Sequence, residues 1–484
     1  MMSLDSFFSL VKKGLTCLAG LLVLSLFLFL LFIGPWPVYR DCNYQDAPYF
    51  KEALRRIEMN AAMSEITEEP GRLRAAWAVR CITPAIGTPM AGYSERPHDK
   101  RSQGVRDDLY VKALVLSDGR DTVALVGADI LMTTLNVAEE VWEEVGRHIP
   151  LDRNHILFTS SHTHNGPGGF APGRLAEYSL GKYDPALFAL IAEAISQAIL
   201  EAYDHLAQSE LAYGHVEASE LIVNRVHDGP VDSLLRFMVI RKETEETCFV
   251  VRFSAHPTNF KEEDMDLSAE YPGEVCRFLQ ENTGAQAIFL GGAVGAMGPR
   301  PPEAEDVSTR IRLMGEALGR KVLDHQDALS FQTHVDIASV GLSMGMPSMQ
   351  VRPLSSSWRL SPLLSHIVGL PRTAWIQAIR VGDLVFLGLP HDAGGELAKA
   401  WAEEAKSRNL EMWITSHCVA YCGYLSPDCY YWVDLEKDNY DMFYEFRLMN
   451  WFGPQQESMF ADLKDHILFH LFPQDPHPIR LAPL

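Results

Sequence analysis

The chain has 484 residues, 47% of them hydrophobic and 22% charged. That is the composition of a folded protein with room for one large domain or two or three ordinary ones. The formal charge of −21 offers nothing basic to offset phosphate repulsion. It argues against nucleic acid as a partner and permits a small neutral or amphiphilic substrate.

In chain order, Leu15 to Ile33 is an apolar run without charge, long enough to cross a bilayer as a helix. Lys12 and Lys13 precede it, which places the amino terminus in the cytoplasm and the rest of the chain outside, periplasmic or extracellular. A cleaved signal peptide is the alternative. The length of the run and the lack of a small-x-small cleavage pattern favour an uncleaved anchor. Gly34-Pro35-Trp36-Pro37 reads as its interfacial exit. The expected organisation is a cytoplasmic tail over residues 1–13, a transmembrane signal anchor over 14–34, a stalk over 35–73 and a large domain over 74–484. Tyr49 to Ile66 reads as a charged helix with Phe50, Leu54 and Ile57 on one face. It is read as spacing the domain from the membrane, with a helix packed on that domain as the alternative. Cys42, Cys81, Cys248, Cys276, Cys418, Cys422 and Cys429 are too scattered for a disulfide framework, and the last three fit no common zinc ribbon.

Within the large domain, strands are expected at Trp77 to Ile82, Leu109 to Ser117 and Thr122 to Asp129. An amphipathic helix over Val137 to His148 and a strand at His155 to Phe158 follow. This strand-helix-strand order predicts an α/β layer. Further helices are expected over Pro185 to Leu206, Tyr271 to Asn282, Val307 to Asp324 and Gly394 to Arg408. Strands are expected over Leu211 to Val223, Leu234 to Arg241, Thr247 to Ser254, Ala287 to Leu290 and His334 to Ser343. A hairpin over Ala374 to Val381 and Leu384 to Leu389, and a strand at Met412 to Thr415, complete the series. Met344 to Arg372 is rich in Pro, Ser, Leu and Met, and reads either as core or as a loop that receives an apolar chain.

The chemistry concentrates at Thr159-Ser160-Ser161-His162-Thr163-His164-Asn165-Gly166-Pro167-Gly168-Gly169. Residues i and i+2 of an extended segment share a face, so His162 and His164 can line one cavity at a strand end. Neutral imidazoles there suit a metal ion. His256, Asp392 and Tyr424 also follow apolar runs. Polar residues at several strand ends are what a site at the rim of a sheet requires.

The order and spelling of these landmarks resemble the neutral/alkaline non-lysosomal ceramidase family, in its amino-terminal catalytic domain. The resemblance is carried by Thr83-Pro84, Met90-Ala91-Gly92-Tyr93, Ala128-Asp129, His162 to Gly169, Asn224-Arg225, Ala255-His256-Pro257, Gly388-Leu389-Pro390 and Tyr421 to Tyr424. It implies a mixed-sheet α/β catalytic domain behind the transmembrane helix, and a zinc-dependent amidohydrolase cleaving a ceramide-like N-acyl lipid by attack of zinc-bound water. Carried over residue by residue, the zinc ligands would be His162, His256, Asp392 and Tyr424. His164, Arg225 and Tyr444 would act on the substrate. Arg225 read by itself is equally a strand-end arginine paired with a carboxylate.

Three departures qualify the resemblance. Pro390-His391-Asp392 stands where the family has Pro-Gly-Glu, so the carboxylate is one methylene shorter and His391 is a rival ligand. Gly298 stands where the family has a serine, which removes that hydroxyl as a nucleophile. No immunoglobulin-like domain is expected after Tyr444. The alternative functions are a zinc hydrolase of a small non-lipid amide, ester or lactone, and a catalytically degenerate binding member. Oligomeric state is left open.

Overall fold

In the computed structural model, which describes residues 4–34, 43–61, 70–353, 358–361, 363–364, 367, 369–433 and 445–473, parallel strand pairs set the architecture. Thr122–Ala128 pairs with Ile156–Ser160, Thr247–Phe253 with Gln286–Gly291, and Leu384–Gly388 with Glu411–Thr415. Parallel neighbours need a crossover. The helices Leu135–His148, Glu270–Thr283 and Gly395–Ser407 supply the three crossovers. The α/β layer expected from the strand-helix-strand pattern is therefore present, within mixed sheets.

The first two pairs lie at opposite ends of an eight-stranded sheet. Its two halves join at Arg74–Gln208 and Ala75–Ala207, and the sheet folds there so that its end strands approach each other. Glycine makes that approach possible. A Cβ on Gly127 would stand 2.5 Å from the Phe289 carbonyl oxygen, and one on Gly291 would stand 2.2 Å from that of Ser160. The third pair belongs to a four-stranded sheet that also contains Ile337–Gly345 and Thr373–Val381. It sits over the Ile156–Ser160 strand, with Gly388 against Leu157 and Cys418. Ile156–Ser160 and Leu384–Gly388 are buried along their whole length, as strands covered on both faces must be.

The helix Pro48–Ala61 lies on this domain. Phe50, Ala53, Leu54 and Ile57 recur at i, i+3, i+4 and i+7 and join the core beneath the four-stranded sheet. Of the two readings of this segment, packing on the domain describes these residues; 35–42 and 62–69 lie outside the described chain. No residue of the apolar helix Leu4–Phe32 is fully buried over Val11–Phe32, and Leu31 and Phe32 at its end are half-buried. Pro185–Asp204 is also long and apolar, but half of it is buried, as befits a core helix.

Local features differ from the sequence reading. The strand expected from Leu211 to Val223 is split into Ala207–Glu217 and Ile222–Asn224, with a 3-10 turn at Ser219–Leu221 between them. The second piece pairs with Met297–Pro299, which delivers Arg225 to the interior. An additional helix, Gln456–Leu471, buries Met459, Phe460, Leu463 and Ile467.

Candidate metal centre

The loops that leave the parallel strands converge. His162 follows Ile156–Ser160, His256 follows Thr247–Phe253, Asp392 follows Leu384–Gly388 and His417 follows Glu411–Thr415. All four are buried, at 3%, 2%, 2% and 1% exposure. His162 and His417 take left-handed backbone conformations, φ 62° and 59°, which turn their rings back into the interior.

The imidazoles are oriented by the backbone. His162 Nδ1 donates to the Leu131 carbonyl at 2.5 Å, and His256 Nδ1 faces the Val294 carbonyl at 3.4 Å. A carbonyl can only accept, so the proton belongs on Nδ1 and the Nε2 lone pairs point inward. His162 Nε2 lies 3.1 Å from His256 Nε2, which lies 2.9 Å from His164 Nε2. Tetrahedral nitrogen ligands of zinc stand about 3.3 Å apart, so this spacing fits a shared cation. Burial holds His162 and His256 well below the ordinary imidazole value and pushes His164 down to about 3, so the neutral, ligating forms prevail.

Asp392 closes the group from the other side. Its Oδ1 lies 3.3 Å from His162 Nε2 and accepts from His417 Nε2 at 2.8 Å, while Oδ2 accepts from the Tyr421 hydroxyl. Burial disfavours its charge, yet the neighbouring His417 and His162, with the hydrogen bonds from His417 and Tyr421, hold the carboxyl below the usual range. The His417 ring stacks on that of His162, 3.8 Å between centroids and 7° from parallel. Two overlapping sets, His162–His164–His256 and His162–Asp392–His417, each bring three ligand atoms close enough to hold one metal ion.

Tyr424 stands in register with Asp392 on a short parallel bridge, and its hydroxyl accepts from Arg225 Nη2 at 3.0 Å. Arg225 thus points inward beside Tyr424. Glu445 is fully buried in the same region. Burial pushes its carboxyl up to about 7, with Arg225 opposing. Gly298 sits beside Arg225, and a Cβ there would meet Val223 at 3.4 Å and Arg225 at 3.5 Å. Arg225 also lines a cleft of about 520 Å³ with Ser219, Asn224, His227, Asp228 and Arg300.

The structure brings His162, His164, His256, Asp392, Arg225 and Tyr424 into one region, and Tyr444 lies outside the described residues. His164 stands among the imidazoles rather than apart from them. His391 belongs to neither metal-capable set: its ring packs edge-on against Phe460, 4.7 Å between centroids. Cys418 and Cys422 are buried free thiols, the former pushed up to about 12 by burial, and neither joins the group. His417 was not among the expected residues. The rule that selected His256, a histidine just past a buried strand, would have found it in Thr415-Ser416-His417.

Residues 79–287 match the family described as neutral/alkaline non-lysosomal ceramidase, N-terminal. The neutral ceramidase of Mycobacterium tuberculosis is 29% identical over 142 residues, 28% of this chain and 22% of that protein. That of Pseudomonas aeruginosa is 28% identical over 141 residues, 28% of this chain and 21% of that protein. The fold extends the likeness. The crystal structure of the Pseudomonas aeruginosa neutral ceramidase superposes with a TM-score of 0.67 at 17% identity, covering 86% of this chain and 76% of that one.

Likeness to the neutral/alkaline non-lysosomal ceramidase family is thus shown in sequence over residues 79–287 and in fold over most of the chain.

A further ceramidase structure, a complex with C2, gives a TM-score of 0.69 at 17% identity, over 86% of this chain and 78% of that one. The mixed α/β architecture is thus that of the neutral ceramidases. The matched sequence covers under a quarter of either curated relative. The family match, residues 79–287, includes His162, His164, Arg225 and His256, whereas Asp392, His417 and Tyr424 lie beyond it.

Proposed function

We propose that this protein is a membrane-anchored zinc hydrolase that cleaves the amide bond of a ceramide-like N-acyl lipid. The observation that carries the reading is the convergence of the His162, His164 and His256 Nε2 atoms beside the Asp392 carboxylate. Two similar proteins are named neutral ceramidase, which supports amide hydrolysis as the reaction.

His162, His256 and Asp392 would hold the ion, with Tyr424 completing the set. Zinc, when bound, supplies a Lewis acid and acidifies water. The protein's own groups do the rest. The carbonyls of Leu131 and Val294 fix the proton on Nδ1 of His162 and His256. His417 and Tyr421 aim the Asp392 carboxylate. Arg225 is a fixed donor for the charge that develops on the amide oxygen. His164, held neutral by burial, would donate a ring N–H toward the reacting amide. Tyr444 is assigned to the reacting amide by resemblance. Gly298 offers no hydroxyl, so the reaction proceeds without a covalent acyl-serine at that position. The apolar helix Leu4–Phe32 is assigned as an anchor with the domain outside the cytoplasm.

A second reading keeps the site and changes the substrate to a small polar amide, ester or lactone, favoured by the polar lining of the cleft beside Arg225. Metal analysis joined to a hydrolysis screen separates the two. Preference for long N-acyl lipids supports the first reading. Turnover of short polar amides with no action on lipids overturns it.

A further inference from the structure

The apolar helix Leu4–Phe32 meets the domain at its carboxyl end. Its last residues are tied to the domain: the Phe32 carbonyl accepts from the Ser361 backbone at 2.8 Å, and Ile33–Gly34 pairs antiparallel with Arg359–Leu360. Trp358 lies against Phe29, 6.0 Å between ring centroids. These contacts fix residues 358–361 at the level where the helix ends. Just beyond them the chain turns helical at Leu363 and Leu364, with Ile367 helical again. Leu360, Leu364 and Leu370 pack toward the core, whereas Leu363 and Ile367, four residues apart, remain 48% and 47% exposed.

An outward Leu–Ile pair next to a helix with bilayer length and an aromatic at its exit is the pattern of an interfacial contact. We infer that Trp358, Leu363 and Ile367 form a second membrane contact, so that the domain is seated on the bilayer surface rather than held off it. The occupant of this apolar face is the lipid into which the adjoining helix inserts. The inference rests on reading Leu4–Phe32 as an anchor.

The seat is joined to the metal centre by a short chain of contacts. The Leu360 amide donates to the Val351 carbonyl at 2.8 Å, and its neighbour Gln350 donates to the Trp451 carbonyl at 2.7 Å. Trp451 packs edge-on against Tyr421, 5.3 Å between centroids, and Tyr421 donates to Asp392. A substrate dissolved in the bilayer would therefore meet the protein close to the residues that process it.

The test uses the full chain with Cys17, Cys42, Cys81 and Cys429 replaced by serine, reconstituted in phosphatidylcholine vesicles that carry a lipid-attached nitroxide quencher. Single variants Leu24→Cys, Leu363→Cys, Ile367→Cys and Ile86→Cys are labelled with an environment-sensitive fluorophore. Ile86 is an exposed apolar residue in a loop of the domain. The labels at 24, 363 and 367 are expected to lose most of their emission, and the label at 86 to keep it. Quenching at 24 with labels at 363 and 367 behaving like that at 86 overturns the seat and leaves the anchor standing. No quenching at 24 overturns the anchor reading, and the seat with it.

Discussion

His417→Ala removes the donor that stands 2.8 Å from Asp392 Oδ1. The carboxylate keeps its bond from Tyr421 but loses a buried partner on the side that faces His162. A hydrogen bond to a charged group contributes about 1.5–3 kcal/mol, and an outer partner of a metal ligand typically changes affinity about 10–100-fold. Both routes give the same range. Zinc affinity, read by competition with a chromophoric chelator, is expected to fall by about that factor. His417→Gln provides the control. It keeps a nitrogen donor and shares the left-handed backbone cost at φ 59°, so the difference between the variants isolates the hydrogen bond. Unchanged affinity in His417→Ala would refute the reasoning. An equal loss in His417→Gln would show that the ring, through stacking or direct ligation, is what matters.

His162→Ala and His256→Ala are each expected to abolish zinc binding, whereas His164→Ala keeps the metal and lowers turnover. Zinc retained by His256→Ala would show the ligand set to be wrong. Metal-free protein is expected to lose stability as pH falls below about 6.5, because the unfolded histidines take up protons there while His162, His164 and His256 stay neutral when folded. Urea unfolding at pH 8 and pH 5 measures this, and a flat profile contradicts it. Glu445 has the opposite sign. Its folded carboxyl titrates at about 7, so its stability is complete below the unfolded value of about 4.3 and is lost as pH rises through 7. Glu445→Gln is therefore expected to raise stability at pH 8 with little change at pH 4. Gly298→Ser has room beside Val223 and Arg225, and is expected to fold, bind zinc and show no acyl-enzyme by mass spectrometry. An acylated Gly298→Ser with faster turnover would mean that the position still serves a nucleophile.

The parts of the site legible in the sequence were those with a local signature. His162 and His164 announce themselves through their spacing before a Gly/Pro-rich turn, and His256 through the strand that precedes it. His417 carries the second signature, just past the buried strand Glu411–Thr415. Its partnership with Asp392 spans 25 residues and depends on the parallel pairing of Leu384–Gly388 with Glu411–Thr415. No local pattern encodes that. The fold class was readable because crossover helices between buried strands leave a regular alternation of periods. The folding of the eight-stranded sheet on itself was not, since it depends on glycines 127 and 291 meeting carbonyls far away in sequence. The helix Gln456–Leu471 could have been read from its apolar spacing, whereas the tie between Ile33–Gly34 and Arg359–Leu360 could not.

Metal content of the purified full-length chain tests the central claim most directly, measured by elemental analysis before and after dialysis against a chelator. The convergence of His162, His256 and Asp392 requires about one zinc per chain, lost with activity on chelation and regained with it on readdition. A chain that hydrolyses N-acyl lipids with no bound metal, or that holds none under any condition, would contradict it.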